Sequence, residues 1–216
     1  MLLLAFDTAT PSVSVALHDG SAVVAQRSGE GSMRHAELLA PGIVAVLDDA
    51  GVDRRDLTDV AVGVGPGPYT GLRVGVVTAR TLAAALGVRL HGVCTLDVIA
   101  AQARRSGIDG PLVVATDARR KEVYWARYDS AGHRVTGPAV DRPAELAAQL
   151  PDGMPVVGRG ARLYGDMLTA VDGPVDPDAG VLAELVVGGR VDELDAEPLY
   201  LRRPDVREPG PRKRVS

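Results

Sequence analysis

Apolar and polar positions fall into two closely similar runs. Leu2 to Phe6 is continuously apolar and ends in Asp7. Val13, Val15 and Leu17 then share one side of an alternating stretch, and Ala22 to Ala25 follows an Asp19-Gly20 turn. These patterns predict three strands joined by tight turns. The plan returns at Leu112 to Thr116, which ends in Asp117, then at Val123 to Tyr128 and, after Ser130-Ala131-Gly132, at His133 to Thr136. Asp7 precedes Asp19 by twelve positions, as Asp117 precedes Asp129, so the chain reads as a weak internal duplication. Turn residues cluster at Ser106 to Pro111 and mark the join. The expected organisation is an α/β protein with one lobe over residues 1–106, a second over 107–203 and a tail over 204–216.

Helical spacing separates these strand units. His35, Leu38, Leu39, Ile43, Val46, Leu47 and Ala50 recur at three- and four-residue intervals, with Gly51 as the stop. Pro41 inside this run predicts a kink or a late start. Val60 to Val64 reads as a strand, Thr70 to Leu86 as a helix stopped by Gly87, and Val88 to Val93 as another strand. The second helix is apolar nearly all round. Leu72, Val76, Ala79, Ala83 and Leu86 make one face, and only Arg73 and Arg80 are ionised elsewhere. Such a helix needs cover on both sides, one from its own sheet and the other from deep burial or a partner.

Composition narrows the class. At 216 residues, 46 % hydrophobic and 3 % aromatic, the core must be built from Ala, Val and Leu. The net charge of −4 gives the body no basic footprint for nucleic acid. The charge is uneven, because residues 202–216 hold six Lys/Arg and two acids, +4, leaving −8 on the remainder. The tail therefore reads as disordered, and as either an RNA contact or a solubilising segment. A lone Cys94 excludes a disulfide framework or a multi-cysteine metal site. With no long apolar run and no leader pattern, the chain is expected to be soluble and cytoplasmic, without membrane contact.

Candidate chemistry is sparse. Gly63-Val-Gly-Pro-Gly-Pro-Tyr-Thr-Gly71 leaves a strand and enters a helix. It reads either as a structural turn with Thr70 as N-cap or as an anion-holding loop of backbone N–H groups. No acid follows for a ribose and no Gly-Lys-Ser/Thr is present, so neither a dinucleotide loop nor a P-loop fits. Asp7-Thr8-Ala9-Thr10 offers a carboxylate that could orient Mg²⁺ through water, or an Asx turn at a strand end. His35-Ala-Glu37 lacks the Pro-Cys-x-x-Cys that a zinc deaminase needs, and the other histidines are scattered. Cys94 reads as a packed thiol. Asp117-Ala-Arg-Arg-Lys-Glu122 is a charged hairpin tip, either solvated or facing phosphate. No metal site and no catalytic pair emerges.

Taken in order, Asp7-Thr-Ala-Thr10, His35-Ala-Glu-Leu-Leu-Ala-Pro41, Gly65-Pro-Gly-Pro-Tyr-Thr-Gly-Leu-Arg-Val-Gly75, Asp117-Ala-Arg-Arg-Lys-Glu-Val-Tyr124 and Glu197-Pro-Leu-Tyr-Leu-Arg202 resemble the TsaB, or YeaZ, family. The likeness covers nearly all of residues 1–203. It departs at Pro68 and Tyr69, where the family has Ser and Phe. The resemblance implies an actin/Hsp70/sugar-kinase-like fold of two related lobes, and a non-catalytic subunit of the complex that makes threonylcarbamoyladenosine at position 37 of tRNA. It implies TsaD as the partner that is activated and that carries metal and nucleotide, TsaE as a further member, and a homodimer when TsaD is absent. No cofactor is expected on this chain, and any tRNA contact would be indirect or through the basic tail. The partner interface expected from the two helices comprises His35, Leu38, Leu39, Ile43, Val46, Leu72, Val76, Val77, Ala79, Arg80 and Ala83. A vestigial nucleotide or anion loop would use Asp7, Thr8, Gly65, Gly67, Thr70, Gly71 and Arg73. The alternative is a small ATPase or sugar kinase of the same fold, which would need a second phosphate loop and an acidic base. A protease would need a nucleophile or metal site that is not found.

Overall fold

A computed structural model describes residues 1–31 and 34–202. The expected tail at 204–216 lies outside the described residues.

The first three strands are β1 (Leu3–Asp7), β2 (Ser12–His18) and β3 (Val23–Glu30), followed by helix α1 (His35–Ala50). Then come β4 (Asp59–Gly65), α2 (Tyr69–Leu86), β5 (Arg89–Cys94) and α3 (Thr95–Arg105). The second unit holds β6 (Leu112–Asp117), β7 (Val123–Tyr128), β8 (Arg134–Asp141), α4 (Pro143–Gln149), β9 (Val156–Val157), α5 (Arg159–Leu163) and α6 (Ala179–Val187). Strands β1–β5 form a sheet in the order β3-β2-β1-β4-β5, and β6–β9 one in the order β8-β7-β6-β9. In each sheet the first strand runs antiparallel to its hairpin partner and parallel to the strand that arrives after a helix. The duplication seen in the aspartate spacing is thus a duplication of topology.

Strand alternation decides the layers. Leu4 and Phe6 of β1 face a core shared with Leu39, Ile43 and Val46 of α1 and Val76 and Ala79 of α2. Leu3 and Ala5 point the other way, onto Val98 of α3 and Leu182 and Ala183 of α6. On the second sheet, Leu112 and Val114 meet Leu96, Ile99 and Ala103 of α3, while Val113 and Ala115 meet Leu146 and Ala161. Both sheets are therefore covered on both faces, as parallel pairing requires.

Packing departs from the division of the chain at 106. Helix α6 lies late in the sequence yet covers the first sheet, and Leu194 N–H donates to Gly92 O at 2.8 Å. The segment after α6 continues along the first lobe, where Leu199 N–H donates to Val64 O at 2.8 Å. The face of the first sheet opposite α1 and α2 needs an apolar cover, and the chain supplies it by crossing back. Two smaller differences concern boundaries. Helix α1 runs unbroken through Pro41. Helix α2 starts at Tyr69, with Pro68 rather than Thr70 as N-cap and no side-chain cap.

Candidate functional site

The turn after β1 and the loop after β4 meet in the first lobe. Asp7 is fully buried, and both carboxylate oxygens are used. Oδ1 accepts the Ala9 N–H at 2.7 Å, making an Asx turn, and Oδ2 accepts the Thr95 hydroxyl at 2.7 Å. Thr95 Oγ1 in turn accepts the Gly65 N–H at 3.2 Å, so one hydroxyl ties β1, the loop and the start of α3. Burial pushes the Asp7 carboxyl up to about 6, against the lowering effect of the Thr95 and Ala9 hydrogen bonds.

The loop glycines serve close approach to this turn. A Cβ on Gly63 would overlap the Asp7 carboxylate, one on Gly67 the Ala9 carbonyl, one on Gly71 the Thr8 carbonyl and one on Gly75 the Thr8 hydroxyl. That hydroxyl donates to Gly71 O at 2.8 Å. His35 completes the junction from α1. Its Nε2 lies 2.8 Å from Thr10 O, and because a carbonyl can only accept, Nε2 carries the proton. A metal-bound phosphate of the kind actin-like ATPases hold needs a reachable carboxylate and open backbone N–H groups. Here Asp7, Thr8, Gly65, Gly67 and Gly71 are buried against one another, and the residues present do not fit that group. Only Thr70 and Arg73 of the expected loop set are exposed, and Arg73 is engaged with Tyr69, its Nη1 donating to the Tyr69 hydroxyl at 2.8 Å. Tyr69 also stacks on Tyr200 with ring centroids 5.1 Å apart, which gives the aromatic at this position a packing role.

The exposed side of the two helices forms the second feature. Of the residues expected at a partner interface, His35, Leu39, Ile43, Val46, Leu72, Val76, Ala79 and Ala83 are buried in the lobe's own core. This is a correction with a simple cause: the most regular apolar period marks the face against the sheet. Leu38 is partly exposed, and Val77 and Arg80 are exposed. The outward face of α2 carries Arg73, Val77, Arg80, Thr81 and Ala84, and that of α1 carries Glu37, Ala40, Pro41, Val44 and Asp48. At its centre Val77 is 55 % exposed and Val44 57 % exposed. Sequence could not find Val44, because it sits off the regular period.

The second lobe turns the same corner differently. At the tip between β6 and β7, Arg119, Arg120 and Lys121 all have left-handed backbone, with φ of 61°, 53° and 62°. That conformation costs a non-glycine residue about 1–2 kcal/mol. Ala118 N–H donates to Glu122 O at 3.0 Å, Asp117 Oδ1 accepts the Arg119 N–H at 2.8 Å, and Arg202 pairs with Glu122.

Elsewhere among the described residues, the remaining candidates are a thiol and one cleft. Cys94 is buried, and desolvation pushes its thiol up to about 12, so it is an inert packed side chain. Among the described residues no group of three or more His, Cys, Asp or Glu is placed to hold a metal. A cleft of about 610 Å³ between α3, α6 and the β7–β8 hairpin lies away from Asp7, and its charges are largely matched, as in Arg134–Asp97 at 3.1 Å. No helix among the described residues is long and apolar enough to cross a membrane.

Comparison with known proteins fits this geometry. A family model described as TsaD, tRNA N6-adenosine threonylcarbamoyltransferase, matches residues 29–173, more than half of the chain. A Mycobacterium tuberculosis protein described as uncharacterized is 40 % identical over 95 % of this chain and 93 % of its own. The Escherichia coli tRNA threonylcarbamoyladenosine biosynthesis protein TsaB is 33 % identical over 94 % of this chain and 95 % of its own. The solved YeaZ from Pseudomonas aeruginosa superposes with a TM-score of 0.81 at 30 % identity, covering 93 % of this chain and 99 % of that one. Built on the duplicated actin-like plan and matched over almost its whole length, the chain belongs to the TsaB (YeaZ) family, within the wider group that the threonylcarbamoyltransferase model describes.

Proposed function

We propose that this chain acts in tRNA threonylcarbamoyladenosine biosynthesis as a non-catalytic subunit that binds and stabilises the transferase TsaD through the outward face of α1 and α2. The observation that carries the reading is the exposed Val44–Val77 face on helices whose other side is core. A partner that covers this face and binds one conformation of itself better than another gains activity without any residue of this chain touching the reacting bond. The transferase is the fitting partner because the model that describes it also matches this chain, so the two share a fold and can pair like helices with like. A second copy of the chain takes the same place when the transferase is absent, and the ATPase TsaE joins the assembled complex. The chain itself holds no nucleotide. The support for this is that Asp7 is spent on Thr95 and Ala9 and that the loop glycines are spent on the Thr8–Ala9 backbone.

Two substitutions on one helix test the reading. Ala79 is fully buried, so Ala79→Arg forces an unpaired charge into the core and should cost on the order of 3 kcal/mol or more, enough to unfold the lobe. Val77→Arg should melt like the parent but elute from gel filtration as a monomer, fail to bind TsaD and lose tRNA modification in a reconstituted assay. A Val77→Arg protein that still supports modification would falsify the docking face. ATP turnover by the pure chain, abolished by Asp7→Ala, would instead favour the kinase-like alternative.

A further inference from the structure

We propose that His91 is a proton-dependent latch that holds the segment after α6 against the edge of the first sheet, and through that segment sets the α1–α2 docking face. Strand β5 is the last strand of its sheet, and an uncovered edge invites unwanted pairing. The returning segment covers it. Leu194 forms an antiparallel bridge with Gly92, and farther on Leu199 N–H donates to Val64 O of β4. The segment is acidic, with Asp192, Glu193, Asp195 and Glu197 close together. It meets cations of the first lobe: Glu193 Oε1 lies 3.1 Å from His91 Nδ1, and Glu197 Oε1 accepts from Arg80 Nη1 at 3.3 Å. Beyond them Tyr200 stacks on Tyr69. Tyr69, Arg73, Val77, Arg80 and Ala84 recur at three- and four-residue spacing and are exposed, so the segment touches the outward stripe of α2 at Tyr69 and at Arg80.

His91 sits between two carboxylates from different elements. Its side chain is 13 % exposed, with Nε2 2.9 Å from Asp59 Oδ1 and Nδ1 facing Glu193. A carboxylate can only accept, so a neutral ring serves one of the two and turns a lone pair on the other. The charged ring has a proton for each nitrogen. Nδ1 has no aligned hydrogen-bond partner, so the hold on Glu193 is electrostatic and depends on the charge of the ring. The other charges nearby decide which contact switches. Asp59 is fully buried, but it also accepts from Arg89, at 2.8 Å from Nε and 3.1 Å from Nη2, and from the Thr58 hydroxyl at 2.6 Å. It therefore stays compensated when the ring loses a proton, and Nε2–H goes on donating to it. Glu193 is half exposed, and Asp192 and Asp195 beside it in sequence add negative charge. Loss of the proton thus acts on the returning segment and not on the core. The closed segment holds that proton better than an open one, so rising pH favours opening.

This regulation rests on the α1–α2 docking reading, and the test separates the two. The full chain is followed by NMR between about pH 5 and 8, the range in which imidazoles change charge. The His91 ring signals should titrate together with the hydrogen-exchange protection of the Leu194 amide. Corrected for intrinsic rates, that protection should fall about tenfold relative to Val62 in the same sheet. Glu193→Gln changes a half-exposed side chain, so the variant should melt like the parent at about pH 8 and show low Leu194 protection at every pH. Affinity for TsaD should weaken several-fold over the same range in the parent and stay flat in the variant. A His91 ring that does not titrate in this range would overturn the latch. So would Leu194 protection that ignores pH, or an equal pH response in Glu193→Gln. TsaD affinity that stays constant while Leu194 opens would overturn the regulation. If TsaD binds at no pH and Leu194 still follows His91, the docking reading fails and the latch stands on the exchange data.

Discussion

The two turns that follow β1 and β6 occupy the same place in a duplicated plan and have opposite fates. Asp7-Thr8-Ala9-Thr10 is folded inward, fully covered, and its carboxyl is pushed up to about 6 by burial. Asp117 to Glu122 is folded outward, with three cations at its tip on left-handed backbone. The difference lies in what arrives after the parallel neighbour. Strand β4 leads through Gly63, Gly65 and Gly67 into the long α2, and the loop lies down on the turn. Strand β9 has only two residues and passes through Gly158 into the short α5. There the close approach stops at Ala115, two residues before Asp117, because a Cβ on Gly158 or Gly160 would overlap the Ala115 backbone. One copy of the plan has thus been closed into core, and the other left open as surface.

The comparison predicts unequal tolerance to substitution. The largest effect is expected from Gly63→Ala, whose methyl has no room beside the Asp7 carboxylate. It should destabilise by about 3 kcal/mol or more, measured by urea unfolding, since overpacking a rigid contact forces backbone to move. A cost below ~1 kcal/mol would mean that the first turn is looser than its packing implies.

Next in size is the pH response of Asp7. Its carboxyl ionises near 3.8 in the unfolded chain and near 6 in the folded one. Between those values the folded chain holds a proton that the unfolded chain has released. Asp7 therefore costs stability progressively as pH rises through this window and by a constant amount above it, roughly 3 kcal/mol in total. Asp7→Asn removes the titration. The stability of this variant relative to the parent should climb from about pH 4 to about pH 6 and then level off. Parallel pH–stability curves for the two proteins would show that the carboxyl is not perturbed by burial.

Thr95→Val should cost about 2 kcal/mol, because it strips Asp7 Oδ2 of its donor and the Gly65 N–H of its acceptor inside the core. The same substitution should move the Asp7 titration further up, and NMR titration of the carboxyl would check it. The smallest effect belongs to the second turn and has the opposite sign. Arg120→Gly relieves left-handed strain at an exposed site and should stabilise by about 0.5–1 kcal/mol. A clear loss of stability would place the second turn in the same rigid class as the first.

Much of the fold was legible because it rests on local periods. Alternation in Val13 to Leu17, the apolar run before Asp7 and its echo before Asp117 marked the strands. Gly51 and Gly87 marked the ends of α1 and α2, and both adopt the left-handed conformation that a helix stop requires. Helix α6 was illegible for the converse reason. Only Glu184 interrupts its apolar sequence, so no period shows which way it faces or which sheet it covers. At the candidate site, sequence placed α2 at two surfaces but could not separate them, since Val76 and Ala79 obey the period as well as any partner contact would; the structure buries these two and leaves Val77 and Arg80 exposed.

What the sequence determined by itself was the strands and helices up to Val93, the three strands between Leu112 and Thr136 that repeat the opening plan, and the family, because these depend on residue type at short range. The tertiary structure decided three further things. It decided that Val77 faces out while Ala79 faces in, that the loop glycines press on Thr8 and Ala9, and that Arg202 lies against Ala118 at the base of the Arg119–Lys121 tip. Each of these depends on which surfaces remain uncovered once both sheets are packed on both faces. A helix apolar nearly all round, or a glycine that permits any close approach, carries no mark of what will approach it.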